Sequence, residues 1–345
     1  MTTPDVTVMG AGIFGLSIAF ACARRGARVR VIETRGVGAG SSGGPVGALA
    51  PHTPENWNPK KQFQLESLLL APSFWAEVET ISSLSTGYGR HGRLQPIADE
   101  RALDLAHARA TGAAELWRGE ATWTVVRDVG SWAPGSPTGS WIKDTLTARL
   151  APARACEALA KALTTLGSTV EIGDEHPNGP VVWATGYEGL GTLSEVFGKP
   201  IGNGVKGQAL RVRFDAGNAP QLFAEGLHIV PHADGTVAVG STSEREFDAP
   251  DQTDEQIDTL HAKAVAQCPA LDGAPILERW AGVRPRAKSR APMLGPWPGR
   301  EGHFIANGGF KIGFGMAPKV AEVMADLVLD QRDAIPDGFR VADNL

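Results

Sequence analysis

Apolar and polar positions along the chain follow two periods. Near the start, Val6, Val8 and their neighbours form a short apolar run with the character of a buried strand, and Ile13 to Arg25 follows with helical length and good helix formers. Gly26 ends that helix, and a second strand is predicted over Ala27 to Ile32. Farther on, β-branched and alternating segments predict strands over 90–98, 123–129, 206–214, 227–231, 236–240 and 276–281, with a buried strand at Val181-Val182-Trp183. Helical spacing predicts helices over 153–166, 254–266 and 316–329. The cluster Ala133 to Gly139 is rich in Pro and Gly and reads as a loop, and no internal repeat of roughly 20–50 residues is evident. With 345 residues, the chain has room for two domains of ordinary size.

The pattern places glycines where strands hand over to helices. Gly10-Ala11-Gly12-Ile13-Phe14-Gly15 has a strand before it and a helix after it, which is the context GxGxxG requires. Gly10 permits the tight turn, Gly12 lets a pyrophosphate approach the backbone, and Gly15 lets helix and strand pack closely. The helix N-terminus adds free amides and partial positive charge. Glu33, followed by Thr34, ends the second strand and is placed to accept hydrogen bonds from ribose hydroxyls. A carboxylate there repels a 2′-phosphate, which disfavours NADP. The loop from Gly36 to Ala48, containing Ser41, Ser42 and Gly47, offers bare backbone to an extended ligand, and Ala48-Leu49-Ala50-Pro51 turns back into the protein. Ala184-Thr185-Gly186 closes a strand in the same manner. Gly308-Gly309-Phe310-Lys311-Ile312-Gly313 leads into the last helix.

Composition narrows the partners. With 42% hydrophobic and 21% charged residues the chain is of the globular class. A net charge of −5 provides no basic field for nucleic acid, which is disfavoured as a partner. Cys22, Cys156 and Cys268 are odd in number and far apart, fitting neither a disulfide framework nor a CxxC metal site, so a reducing, cytoplasmic compartment and no metal are expected. The charge-free run Val6 to Ala23 lies near the lower limit of the roughly 17–25 residues that span a bilayer. Its internal glycines, and the lack of a basic n-region or cleavage site, argue against a membrane span or signal peptide.

Taken together, GxGxxG with Glu33, the Ser-Ser-Gly-Gly loop, Val-Val-x-Ala-Thr-Gly, Gly282-Val283-Arg284-Pro285 and Gly-Gly-Phe-Lys-x-Gly resemble the D-amino-acid oxidase superfamily of FAD enzymes over nearly the whole chain. Gly47 to His52, His228 to Pro231 with Val239 to Thr242, and Trp280 to Pro285 are similar to glycine oxidase-like amine oxidases. The resemblance implies an α/β fold. A Rossmann-like FAD-binding domain would come from 1–75, 145–205 and 275–345, and a mixed or antiparallel β-sheet substrate domain from 76–144 and 206–274. It implies FAD contacts at Gly10, Gly12, Ile13, Phe14, Gly15, Glu33, Thr34, Ser41, Ser42, Gly47, Ala48, Leu49, Ala184, Thr185, Gly186, Gly308, Gly309, Phe310, Lys311, Ile312 and Gly313. None of the three cysteines lies near the late flavin motifs where covalently flavinylated relatives carry one, so noncovalent FAD is expected.

The implied reaction moves a hydride from the Cα of a small primary or secondary amine bearing a carboxylate, such as glycine, sarcosine or a D-amino acid, to the flavin N5. The imine hydrolyses to an oxo acid, and O2 becomes H2O2. The resemblance assigns Arg284 to the substrate carboxylate, a role its planar fork suits. His228, standing where relatives often carry tyrosine, and Lys311 are the other candidates to meet the substrate. Arg284, Arg286, Lys288 and Arg290 form a basic run that either faces solvent or draws an acidic substrate. Open alternatives are a dehydrogenase serving a quinone or protein carrier, a flavin domain like that of the enzyme trimming carboxymethylaminomethyl groups from tRNA wobble uridine, and a flavin-binding subunit without its own activity. A homo-oligomer stays open as well.

Overall fold

The computed structural model describes residues 3–345. In chain order come β1 (Val6–Met9), α1 (Ile13–Ala23), β2 (Val29–Glu33), β3 (Ala48–Leu49), α2 (Pro59–Ser82), β4 (Arg93–Pro96), α3 (Glu100–Leu116), β5 (Trp123–Val126), β6 (Trp141–Asp144) and β7 (Ala148–Arg149). Next are α4 (Pro152–Thr165), β8 (Thr169–Ile172), β9 (Val181–Trp183), α5 (Gly186–Val196), β10 (Gly202–Arg213), β11 (Gln221–Ala224), β12 (Leu227–Pro231) and β13 (Thr236–Gly240). The chain closes with α6 (Gln256–Gln267), β14 (Ile276–Ala287), β15 (Met293–Pro296), β16 (His303–Asn307) and α7 (Gly313–Asp330).

A six-stranded sheet has the order β15-β16-β9-β1-β2-β8. It is parallel except for the edge strand β15. Helix α1, the crossover between β1 and β2, is buried along its whole length because it also packs on α4 and α7. A helix that is apolar all round belongs in such a core. Among the described residues, no helix is long and apolar enough to cross a membrane.

The second sheet has eight strands in the order β14-β10-β13-β12-β11-β4-β6-β5. It is antiparallel apart from the β4–β11 pair. β14 falls within the segment 275–345 that the sequence groups with the dinucleotide domain, yet it is hydrogen-bonded into this second sheet. Its ladder with β10 runs from Gly202↔Ala287 to Val212↔Ile276 with one register shift, and a ladder of that length decides which sheet holds it. A bridge between Arg286 and Gly309 then ties the end of β14 back to the glycine-rich segment before α7. The strands expected over 90–98 and 123–129 shorten to β4 and β5, and α2, α3 and α5 join the helices read from the sequence.

Candidate active site

A cleft of about 870 Å³ opens over the carboxyl ends of β1, β2 and β9. Its floor exists because two glycines admit backbone where a side chain would not fit. A Cβ on Gly10, whose φ is +108°, would lie 2.4 Å from the Ala184 carbonyl oxygen, and one on Gly15 would lie 2.0 Å from the Gly10 carbonyl oxygen. At the start of α1 the Ile13 amide donates to Ser42 Oγ at 3.0 Å. Glu33 at the end of β2 accepts from the Ala11 amide at 2.9 Å and the Arg35 amide at 3.0 Å, so its carboxylate is held at the cleft wall.

Of the residues expected to hold a dinucleotide, Gly10, Gly12, Ile13, Phe14, Glu33, Thr34, Ser41, Ser42, Ala184, Thr185, Gly186, Gly308, Gly309, Phe310 and Gly313 line this cleft. Gly15 lies behind it as the packing contact between α1 and the turn. The cleft also has walls that no motif marks. Arg300 stacks over Trp183 and Trp297 at 5.3 and 5.1 Å, and an Arg35–Glu188 ion pair of 3.0 Å stands at the edge. Volume, bare backbone and carboxylate together fit FAD, since ligand clefts run to about 1,000 Å³ and strand-end glycines with an acidic residue suit pyrophosphate and ribose. The Ser42 hydroxyl can rotate to serve either the Ile13 amide or a phosphate.

A separate cavity of about 200 Å³ lies beyond it. Ala48, Leu49, Lys311 and Ile312 line this second space rather than the large cleft, alongside Ala50, Pro51, His52, Gln64, Arg93, Phe223, His228 and Gly315. Gly47 lines neither: at φ +60°, its Cβ would lie 1.8 Å from the Leu150 carbonyl oxygen, so it turns the chain between the two spaces. The segments 40–52 and 308–315 thus contribute walls to both.

The walls of the small cavity contain no Asp or Glu. Lys311 has no carboxylate within ion-pair distance among the described residues, and desolvation with Arg284 nearby pushes its ammonium pKa down. The His228 ring packs on Phe223 with centroids 4.6 Å apart, and its Nδ1 is buried without a partner. Burial, reinforced by Arg93 and Lys311, pushes its pKa down to about 3, so the imidazole is neutral. His52 bonds through its ring to Gln64 Oε1, and burial lowers its pKa as well.

Arg284 lies beside both spaces without lining either: its guanidinium passes over the Phe310 ring at 5.9 Å and its charge helps lower the pKa of Lys311. Its Nη1 donates to Ser241 Oγ at 2.7 Å, and its Nη2 donates to the carbonyls of Thr242 at 2.7 Å and Lys206 at 3.1 Å. Burial lowers its pKa to about 10, and the guanidinium passes over Gly207, where a Cβ would fall 1.7 Å from Nη2. His228 and Lys311 therefore share one cavity, whereas Arg284, expected to clamp the substrate carboxylate with them, spends both Nη groups on protein acceptors and leaves Nε buried without one. Tyr187 lines the large cleft and neither tyrosine lines the small cavity. All three cysteines are buried and outside both spaces. No cluster of three metal-ligating side chains occurs among the described residues.

A sequence model of the DAO family, described as FAD dependent oxidoreductase, matches residues 5–327. The bifunctional protein ThiO/ThiG of Trichormus variabilis is 29% identical over 362 aligned residues, covering 96% of this chain and 53% of that protein. The chain spans about half the length of the bifunctional relatives it matches. The glycine oxidase of Bacillus licheniformis is 28% identical over 356 residues, covering 94% of this chain and 93% of that one. Among solved structures, glycine oxidase from Geobacillus kaustophilus superposes with a TM-score of 0.83 at 22% identity over 99% of both chains, a likeness of fold. Since the family match runs through both sheets and both spaces, this chain belongs to the DAO family of FAD dependent oxidoreductases.

Proposed function

We propose that this chain oxidises a small primary or secondary amine carrying a carboxylate, such as glycine, sarcosine or a D-amino acid, to an imine that hydrolyses to the oxo acid. The observation that carries the reading is the acid-free, cationic cavity of about 200 Å³, walled by the same two segments that wall the dinucleotide cleft. Its size suits a substrate of few heavy atoms. Relatives named glycine oxidase that align over nearly their full length add support.

The glycine turns, Glu33 and Ser42 would hold FAD, which would supply the hydride acceptor and an outlet for the electrons to O2, as H2O2, or to another carrier. The protein's part is to bind, orient and dry the substrate. Lys311 draws the carboxylate. A histidine with a pKa near 3 is too weak a base to hold an ammonium proton at neutral pH, so His228 serves as a neutral hydrogen-bonding group through Nδ1. The substrate amine loses its proton because the desolvated, cationic inner wall that lowers the pKa of Lys311, whose side chain solvent still reaches, acts on it too. With every cysteine outside both spaces, FAD is held noncovalently, and precipitated, denatured protein should be colourless while the supernatant turns yellow.

Anaerobic mixing of the FAD-loaded protein with a panel of amines tests the reading. Glycine, sarcosine or a D-amino acid should bleach the flavin while methylamine does not. Absence of bleaching by every carboxylated amine would overturn it, and peroxide release on admitting air separates an oxidase from a dehydrogenase.

A further inference from the structure

Arg93 lies on β4 and is only 7% exposed, yet its fork is not consumed by the protein. Nε donates to Asp144 Oδ2 at 2.9 Å, and the other carboxylate oxygen of Asp144 accepts from the Thr147 amide at 2.8 Å. An arginine serving only as half of a structural pair commonly presents two parallel N–H groups to its carboxylate. Here the contact is through Nε alone, and the two Nη nitrogens have no acceptor among the described residues, although Arg93 lines the small cavity. These two donors are not sealed inside the protein, so they are open to an acceptor that enters the cavity. The Phe223 ring, 5.6 Å from the guanidinium carbon, fixes the plane of the fork.

We propose that the two Nη groups of Arg93 dock the carboxylate of the substrate, with Lys311 as the counter-charge across His228 and with Arg284 as a structural strap. Charge accounting favours one carboxylate. Asp144 neutralises Arg93, so the uncompensated charge at the cavity is that of Lys311. Both cations act on the same imidazole of His228, which places them around one small space. Arg284, by contrast, already donates to three protein acceptors and lines neither space. The inference rests on the amine-acid reading above.

Titration calorimetry of the FAD-loaded protein with acetate, the simplest carboxylate without an amine, tests it apart from turnover, with acetamide as the uncharged control. Wild type should bind acetate and ignore acetamide. Arg93→Lys keeps a cation beside Asp144 but loses the fork, and should weaken acetate at least about tenfold. Arg93→Gln/Asp144→Asn removes both charges together, leaving no lone buried ion, and should fold, retain FAD and lose acetate binding. If both variants carry a full complement of FAD and bind acetate as wild type does, the docking role of Arg93 is overturned while the amine-acid reading stands. If wild type binds neither acetate nor any carboxylated amine, both fall.

Discussion

The large cleft and the small cavity are walled by different materials. The floor of the cleft is made of backbone, with glycine turns at the ends of β1, β9 and β16 and Glu33 holding two of the amides there, while Arg300, Trp183, Trp297 and the Arg35–Glu188 pair stand at its walls. The cavity shares the segments 40–52 and 308–315 with the cleft, but its own walls are side chains from α2, β4, β11 and β12, the strands among them brought together because β4 pairs in parallel with β11 and β11 with β12. A ligand shared across a family can be met by local backbone geometry, whereas a particular substrate is met by side chains delivered from far apart. Gly10→Val strikes the backbone side hardest. The new side chain meets the Ala184 carbonyl from a φ that valine does not adopt, and we expect at least about 3 kcal/mol of destabilisation with loss of bound FAD, read by thermal denaturation and flavin-to-protein absorbance. A variant that purifies yellow and melts normally would break the distinction.

This contrast also explains what was legible in the sequence. β1, α1, β2 and the glycine turns are local patterns, in which the residues that act are neighbours in the chain, and they appear in the structure with their bounds moved by a few residues. Arg93 sits in the unremarkable strand Arg93-Leu94-Gln95-Pro96, and its meaning comes from Asp144, Phe223 and His228, none of them near it in sequence. Arg284 shows the opposite case. Its motif is plain, but its three acceptors belong to β10 and the turn after β13, and no pattern in Gly-Val-Arg-Pro discloses them. For α2 a signal was present: Asn58 caps it by accepting from the Lys61 amide at 3.1 Å, Pro59 opens it, and Phe63, Leu68, Ala71, Trp75 and Val78 recur at helical spacing on its buried face. Pro72 inside it, a residue that ordinarily ends helices, obscures that signal.

On the side-chain half, His228 links the cavity to acid stability. Its unfolded pKa is near 6.5 and its folded value about 3, because burial, Arg93 and Lys311 disfavour the cation. Between those values the unfolded chain takes up a proton that the folded protein refuses. Stability is therefore fully present above about pH 6.5 and falls as pH drops toward 3, by up to about 1.4 kcal/mol per pH unit from this group. His228→Gln lacks the titration, so the difference in melting temperature between variant and wild type should shift steadily in the variant's favour on acidification. A difference that stays constant from pH 7 to 4 would show that His228 does not feel the cavity. Lys311→Met should act more mildly, because Lys311 is reached by solvent: about 1–2 kcal/mol of affinity for carboxylated amines, seen as a raised KM with kcat less affected. An equal loss for methylamine would mean that Lys311 does not address the carboxylate.

The smallest expected effect tests whether Glu33, a charged fixture at the turn of the backbone cleft, behaves like the backbone around it. Glu33 holds two amides at once, those of Ala11 and Arg35, one through each carboxylate oxygen. Glu33→Gln keeps a single acceptor and turns the other position into a donor facing an N–H. One of the two amides then loses its partner, at about 1 kcal/mol. If the carboxylate also receives ribose hydroxyls, FAD affinity should fall about fivefold, measured by reconstituting the apoprotein and following flavin fluorescence, with substrate KM at saturating FAD unchanged. Equal losses in FAD affinity and substrate affinity would mean that the two spaces respond as one, and the division into a cofactor cleft of backbone and a substrate cavity of side chains would have to be given up.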